Sequence, residues 1–197
     1  MSKIGLYGGT FDPVHLGHIE VASTVIEKAG IDQIWFLPAY CSPHKEEHHS
    51  ASAQQRWEML LLALEDYDDF CPVDLELLEE KTDYTVDTVQ SLIELYPEHE
   101  FHLILGEDNL EKFDTWKDST SLLKSASPVA IKRFQGEWRI PLCYKKEQFY
   151  QFLEVPLIDI SSTSIRYCLS QGLNPKGLNP KVLDYIYKYC LKHYCTT

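Results

Sequence analysis

The chain contains no C-x-x-C pair. Its six cysteines stand at 41, 71, 143, 168, 190 and 195. Without that spacing they read as reduced thiols of a cytoplasmic protein. Positive charge is scarce as well. Lysine and arginine number 18 against 30 aspartates and glutamates, for a net charge of -12. That balance argues against a general nucleic-acid surface, which needs clustered cations. Small phosphorylated ligands stay compatible if a few cations are focused in one cleft. No apolar run approaches the roughly 18 residues that cross a bilayer. A glycine turn arrives within eight residues of the N-terminus, which leaves no room for a signal h-region. What the chain does have is 197 residues, 44% of them apolar, enough for one domain with a sizeable core.

Apolar runs alternate with helical patterns along the whole length. Ile4 to Tyr7 reads as a strand, followed by a helix with Leu16, Ile19, Ala22 and Ile26 on one face. Gln33 to Leu37 is a strand ending at Pro38. Ser52 and Gln55 form a capping-box pattern before a helix that buries Trp57, Leu60, Leu61 and Leu64. Phe70 to Leu75 is strand-like, and Val86, Val89, Ile93 and Tyr96 have helical spacing. Phe101 to Leu105 is a buried strand ending in Gly106, and Val129 to Lys132 is another. Val155 to Ile160 reads as a strand before a short helix that stops at Gly172. Asn179-Pro180 opens a last helix with Leu183, Ile186, Tyr187, Cys190, Leu191 and Tyr194 as its stripe. This alternation implies an α/β fold, a parallel sheet covered by helices on both faces. Ligands in such sheets bind beyond the carboxyl ends of the strands. The stretch from Pro38 to Ala51 reads as a mobile loop.

Four constellations carry chemistry. The first, Gly8-Gly9-Thr10-Phe11-Asp12-Pro13-Val14-His15-Leu16-Gly17-His18, joins a strand to a helix through a glycine turn. It is neither a dinucleotide fingerprint nor a P-loop. Free N–H groups at the turn and the helix start form a phosphate cradle. His15 and His18, three apart, would face the same way, and Gly17 would let a ligand approach closely. The second runs from Ile160 to Arg166, where hydroxyls and a guanidinium could converge on a polyphosphate. Read by itself it is equally an ordinary helix cap with a solvated arginine. The third is Pro43-His44-Lys45, whose lysine could close over phosphates or simply be solvated. Neighbouring His48 and His49 lack metal-ligand spacing. The fourth is Gly106-Glu107-Asp108 with Trp116. Asp108 could accept ribose hydroxyls or cap a helix, and Trp116 could stack on a heterocycle or fill the core.

Together these residues resemble the HxGH nucleotidylyltransferase superfamily, and within it the bacterial nicotinate-mononucleotide adenylyltransferases. Gly8 to His18 matches their first signature almost letter for letter. Leu37-Pro38-Ala39 with Pro43-His44-Lys45 resembles their second loop, and Asp83-Tyr84-Thr85 with Thr88 resembles Y-T-x-x-T. Gly106-Glu107-Asp108, Phe113 and Thr115-Trp116 resemble G-x-D…F-x-x-W. Asn179 to Ile186 resembles the closing helix. The likeness spans nearly the whole chain in order. It implies a Rossmann-like doubly wound sheet in one domain over residues 1–197. It also implies direct transfer of AMP from ATP to nicotinate mononucleotide, with deamido-NAD and pyrophosphate as products and Mg²⁺ held mainly by the phosphates.

The resemblance also assigns roles. His15 and His18 would bind the ATP phosphates and stabilise the transition state, with Gly9, Thr10 and Phe11 forming the cradle. Ser162, Thr163 and Arg166 would grip the leaving phosphates. Lys45 and Arg133 would neutralise the attacking phosphate. Gly106 and Asp108 would hold adenosine, and Trp116, Tyr84 and Thr85 would form the pyridine pocket. One departure stands out: Arg133-Phe134-Gln135-Gly136 replaces the family's R-P-G, which leaves the role of Arg133 open. Phosphopantetheine adenylyltransferase is the nearest rival, although it has threonine where His15 stands and a shorter chain. A catalytically silent nucleotide-binding protein on the same fold is the rival of another class. Preference for nicotinate over nicotinamide and the oligomeric state stay open. The aromatic C-terminal helix could join a second copy or pack in the core.

Overall fold

The computed structural model describes residues 1–40, 51–78, 84–132, 137–156 and 158–195. Its elements, in chain order, are β1 (Lys3–Gly9), α1 (Leu16–Ala29), β2 (Gln33–Pro38), α2 (Ala53–Leu64), β3 (Phe70–Pro72), α3 (Leu75–Leu78) and α4 (Thr85–Leu95). They continue with β4 (Glu100–Gly106), α5 (Glu107–Glu111), α6 (Ser119–Ser125), β5 (Val129–Lys132), β6 (Gln151–Glu154), α7 (Ser162–Ser170) and α8 (Pro180–Tyr185). A π-helical turn (Ile186–Cys190) then leads into α9 (Leu191–Tyr194).

The six strands form one sheet in the order β3-β2-β1-β4-β5-β6, and every pairing is parallel. Side chains alternate between its faces, as a strand's period of two requires. Ile34 and Phe36 join one core cluster, while Trp35 and Leu37 join the other. The first cluster is closed by α1, α2, α7 and the C-terminal helices, the second by α4, α5 and α6. This is the doubly wound α/β fold implied by the alternation. In this strand order the connections reverse between β1 and β4, so a crevice opens beyond their carboxyl ends. Gly9 and Gly106 end those two strands. Among the described residues no helix is long and apolar enough to cross a membrane.

Several sequence expectations need correction. Leu16 is 42% exposed, because it is the first residue of α1 and its side chain lies outside the stripe of Ile19, Val21, Ala22, Val25 and Ala29. Leu61 is exposed, whereas Arg56 and Met59 are buried with Leu60 and Leu64. The strand expected over Phe70 to Leu75 stops at Pro72, and α3 begins at Leu75. The last strand is Gln151–Glu154 rather than Val155 to Ile160. The described residues of the apolar run after it lie outside the strands, and the Ile160 N–H donates to Ile158 O at 2.8 Å shortly before α7. In the final helix Tyr187 is 46% exposed, while Val182, outside the expected stripe, is buried. The Ser52–Gln55 capping box forms as expected, with Gln55 N–H donating to Ser52 Oγ at 3.1 Å and Ser52 N–H donating to Gln55 Oε1 at 2.9 Å.

Candidate active site

The loop between β1 and α1 is held in one conformation from several sides. His15 is the N-cap of α1, and the Gly17 N–H donates to its Nδ1 at 3.1 Å. The His15 N–H donates in turn to Nδ1 of His18 at 3.2 Å. Both rings accept through Nδ1, so in the neutral state both carry their proton on Nε2, the opposite edge of the ring. The two imidazoles stack with centroids 3.8 Å apart. They come together because His15 caps the helix and His18 lies in its first turn, which differs from two residues sharing a helical face. Gly17 also has a structural reason to lack a side chain. A Cβ there would meet the His15 ring at 3.0 Å, so glycine makes room for the protein's own imidazole.

Phe11 occupies the left-handed region at φ 51°, a costly conformation for a bulky residue that surrounding contacts must enforce. Its ring is buried against Tyr7, Phe36 and His18. Guanidinium groups hold the carbonyls on either side of it. Arg56 Nη1 donates to Thr10 O at 2.8 Å, and Arg166 Nη1 donates to Asp12 O at 2.8 Å. A Cβ on Gly9 would come within 2.9 Å of the Phe11 ring, so that glycine serves close packing.

The Ile160 to Arg166 constellation meets this loop. Ser161 caps α7 by accepting from Ser164 N–H at 3.0 Å. Ser162 Oγ donates to Pro13 O at 3.0 Å, which docks the start of α7 on the loop. Thr163 Oγ1 lies 3.4 Å from Arg166 Nη2. Thus His15, His18, Thr10, Phe11, Ser162, Thr163 and Arg166 form one assembly, although about 150 residues separate its halves. Lys45 and Arg133 lie outside the described residues, as do His48 and His49.

The remaining expected site residues lie at the end of β4 and around the starts of α4 and α6. Gly106 ends β4 and is the N-cap of α5. Asp108 is exposed in the first turn of α5 and does not cap it. Tyr84 occupies the N-cap position of α4 without a side-chain capping bond, and Thr85 begins the helix. Lys117 Nζ lies over the Tyr84 ring at 4.5 Å and bonds Asp87 at 2.8 Å, so the start of α4 abuts the segment that contains Trp116. Trp116 is half-buried, tilted against Phe113 at 5.6 Å. Among the described residues no three His, Cys, Asp or Glu side chains gather to hold a metal ion.

Two contributors were missed in the sequence. Arg56 is 0% exposed. Its signal was a charged residue inside the apolar stripe of a helix, four before Leu60 and seven before Ala63. Tyr194, read only as stripe, donates from Oη to Asp12 Oδ1 at 2.8 Å. Burial and the Asp12 carboxylate raise its phenol well above the ordinary range. The same two causes push the neighbouring Cys190 thiol up to about 12.

Comparison with known proteins agrees with this geometry. Residues 6–167 match the Cytidylyltransferase-like family model. A Flavobacterium johnsoniae protein named "Probable nicotinate-nucleotide adenylyltransferase" is 38% identical over 186 residues, covering 93% of this chain and 95% of its own length. A Bacillus licheniformis protein of the same name is 39% identical over 168 residues, covering 84% and 85%. Among solved structures, Plasmodium falciparum nicotinic acid mononucleotide adenylyltransferase complexed with NaAD superposes with a TM-score of 0.75. It is 22% identical, with 96% of each chain covered, and that likeness speaks for the fold.

Proposed function

The chain belongs to the nicotinate-nucleotide adenylyltransferase family, and we propose that it transfers the adenylyl group of ATP to nicotinate mononucleotide. A phosphate oxygen of the mononucleotide attacks the α-phosphorus of ATP. A new P–O bond forms, the bond to the bridging oxygen breaks, and pyrophosphate leaves with that electron pair. Deamido-NAD is the other product. The observation that carries this reading is the docking of Arg166 on the loop that presents the stacked His15–His18 pair.

The assembly is rich in donors. In the neutral rings, Nε2–H of His15 and of His18 donates to phosphate oxygens as negative charge builds in the transition state. The N–H groups of Thr10 and Phe11, beyond the end of β1 at Gly9, receive the same triphosphate. Arg166, with Ser162 and Thr163, binds the departing β- and γ-phosphates. The Ser162 hydroxyl proton is engaged with Pro13 O, so this side chain acts through its lone pairs or through the loop it docks. Lys45, and Arg133 with it, neutralises the attacking phosphate. Gly106 and Asp108 hold the adenosine, and Trp116, Tyr84 and Thr85 enclose the pyridine ring. The whole acceleration comes from positioning and charge stabilisation.

Imidazole and guanidinium donors suit phosphate oxygens rather than Mg²⁺, and the Asp12 carboxylate beside them is bonded by Tyr194. That donor set fits a Mg²⁺ that enters as the ATP complex, held by phosphate oxygens. The same reading makes the protein a cytoplasmic one acting on two small anions and on no nucleic acid. It leaves room for a homo-oligomer through Tyr187 and Tyr189, which are exposed on the last helix.

Pyrophosphate release is the test, with Mg–ATP and in turn nicotinate mononucleotide, nicotinamide mononucleotide and phosphopantetheine as acceptor. Release is expected chiefly with the nicotinate compound. Release only with phosphopantetheine, or ATP binding with no release for any acceptor, refutes the proposal.

A further inference from the structure

We propose that Arg56 is a positioning residue for this reaction, holding the Thr10–Phe11 peptide so that its N–H serves the ATP phosphates. The proposal rests on the cradle described above and assigns it a support outside both signature motifs. Arg56 stands in α2, which carries no residue of either signature motif. Its guanidinium is buried and reaches three carbonyls. Nη1 donates to Thr10 O at 2.8 Å and Ala39 O at 2.7 Å, and Nη2 donates to Tyr40 O at 3.1 Å. A permanent cation is costly to desolvate. Closing α2 on the sheet requires only apolar side chains such as its neighbours Met59 and Leu60. The planar fork explains why arginine stands here, because one side chain spans carbonyls from two strand ends.

Those two strand ends are also joined directly, by Ala39 N–H donating to Gly9 O at 2.9 Å. Arg56 therefore completes a brace between the carboxyl ends of β1 and β2, directly before the residue with φ 51°. A carbonyl that accepts from a cation leaves its own amide more polarised, so the N–H on the far side of that peptide is a stronger donor. For Thr10 O that N–H belongs to Phe11. Arg56 thus acts on the triphosphate through one peptide group, and adds fixed positive charge behind it in a protein of net charge -12.

Arg56→Met, Arg56→Lys and Arg56→Ala test this, each compared with the wild type per folded molecule after a thermal melt. Arg56→Met should lower kcat/KM for ATP about ten-fold or more while KM for the mononucleotide moves by less than about three-fold. Binding of α,β-methylene-ATP, read by calorimetry without turnover, should weaken about ten-fold. Arg56→Lys retains the charge but not the fork, so it should fall between wild type and Arg56→Met. Methylguanidinium at millimolar concentration should restore part of the Arg56→Ala rate in a saturable way. If Arg56→Met or Arg56→Lys folds and matches the wild type in analogue binding and in kcat/KM for ATP, the proposal is overturned. Equal rises in both KM values overturn it too. A wild type that releases no pyrophosphate refutes the adenylyl-transfer reading instead, and analogue binding still decides the role of Arg56.

Discussion

Replacing Tyr194 by phenylalanine removes one hydroxyl and leaves the packing of the ring in place. That hydroxyl donates to Asp12 Oδ1 at 2.8 Å, with Tyr194 1% and Asp12 4% exposed. A buried hydrogen bond to a charged acceptor contributes about 1.5–3 kcal/mol, and water cannot easily replace it here. The expected loss is therefore about 2 kcal/mol. For a chain of this size each kcal/mol lowers Tm by about 2–4 °C, so the melting point should fall by roughly 4–8 °C. Differential scanning calorimetry reads that shift. Because Asp12 has further interactions, the single variant does not isolate the pair. A double-mutant cycle with Asp12→Ala does, and the coupling should be about 1.5 kcal/mol or more. A Tm change under about 1 °C, or a coupling near zero, would show that the C-terminal helix does not anchor the loop between β1 and α1 through this bond.

His18→Ala should lower kcat for pyrophosphate release by about 10²–10³-fold, the usual effect of losing one transition-state donor. Its stability should fall by only about 1 kcal/mol, since the His15 N–H loses its cap; near-normal turnover in a steady-state assay would remove His18 from the mechanism. Trp116→Ala should raise KM for the mononucleotide by about ten-fold, the scale of one aromatic stacking contact, and KM for ATP much less. Equal effects on both would place Trp116 in the core alone, against Phe113. His102 supplies a pH dependence away from the site. Burial lowers its pKa from 6.5, against the opposing pull of Ser127 O and Glu100. The unfolded chain therefore binds more protons between the two values, and stability present above about pH 6.5 is lost as pH falls through that window toward the depressed folded pKa. Urea unfolding at several pH values should show this slope, and His102→Asn should flatten it.

The fold was legible because its signals are local. The strands at Ile4, Gln33 and Phe101 each show as short apolar runs ended by glycine or proline, and Ser52-x-x-Gln55 marked a helix start. Errors fell where burial and strand pairing compete with local pattern. Val155 to Ile160 is as apolar as a strand, yet Gln151–Glu154 pairs with β5, since pairing depends on where the neighbouring strand ends. Leu16 and Tyr187 look like stripe residues, but the helices turn them outward and leave both exposed.

For the site, residue types and spacing between Gly8 and His18 and between Ser161 and Arg166 determined which chemistry is available: imidazole, hydroxyl, guanidinium and free N–H for phosphate. Sequence order alone determined the alternation that yields a parallel sheet. Only the tertiary structure decided that Arg166 lies on Asp12 O, that His15 and His18 cap one another and thereby set their tautomers, and that Arg56 and Tyr194 brace the same loop. Apart from the local His15–His18 pair, those outcomes depend on contacts between residues about 40 to 180 apart in the chain. Periodicity reports whether a residue is turned inward, and it is silent on which polar group waits there.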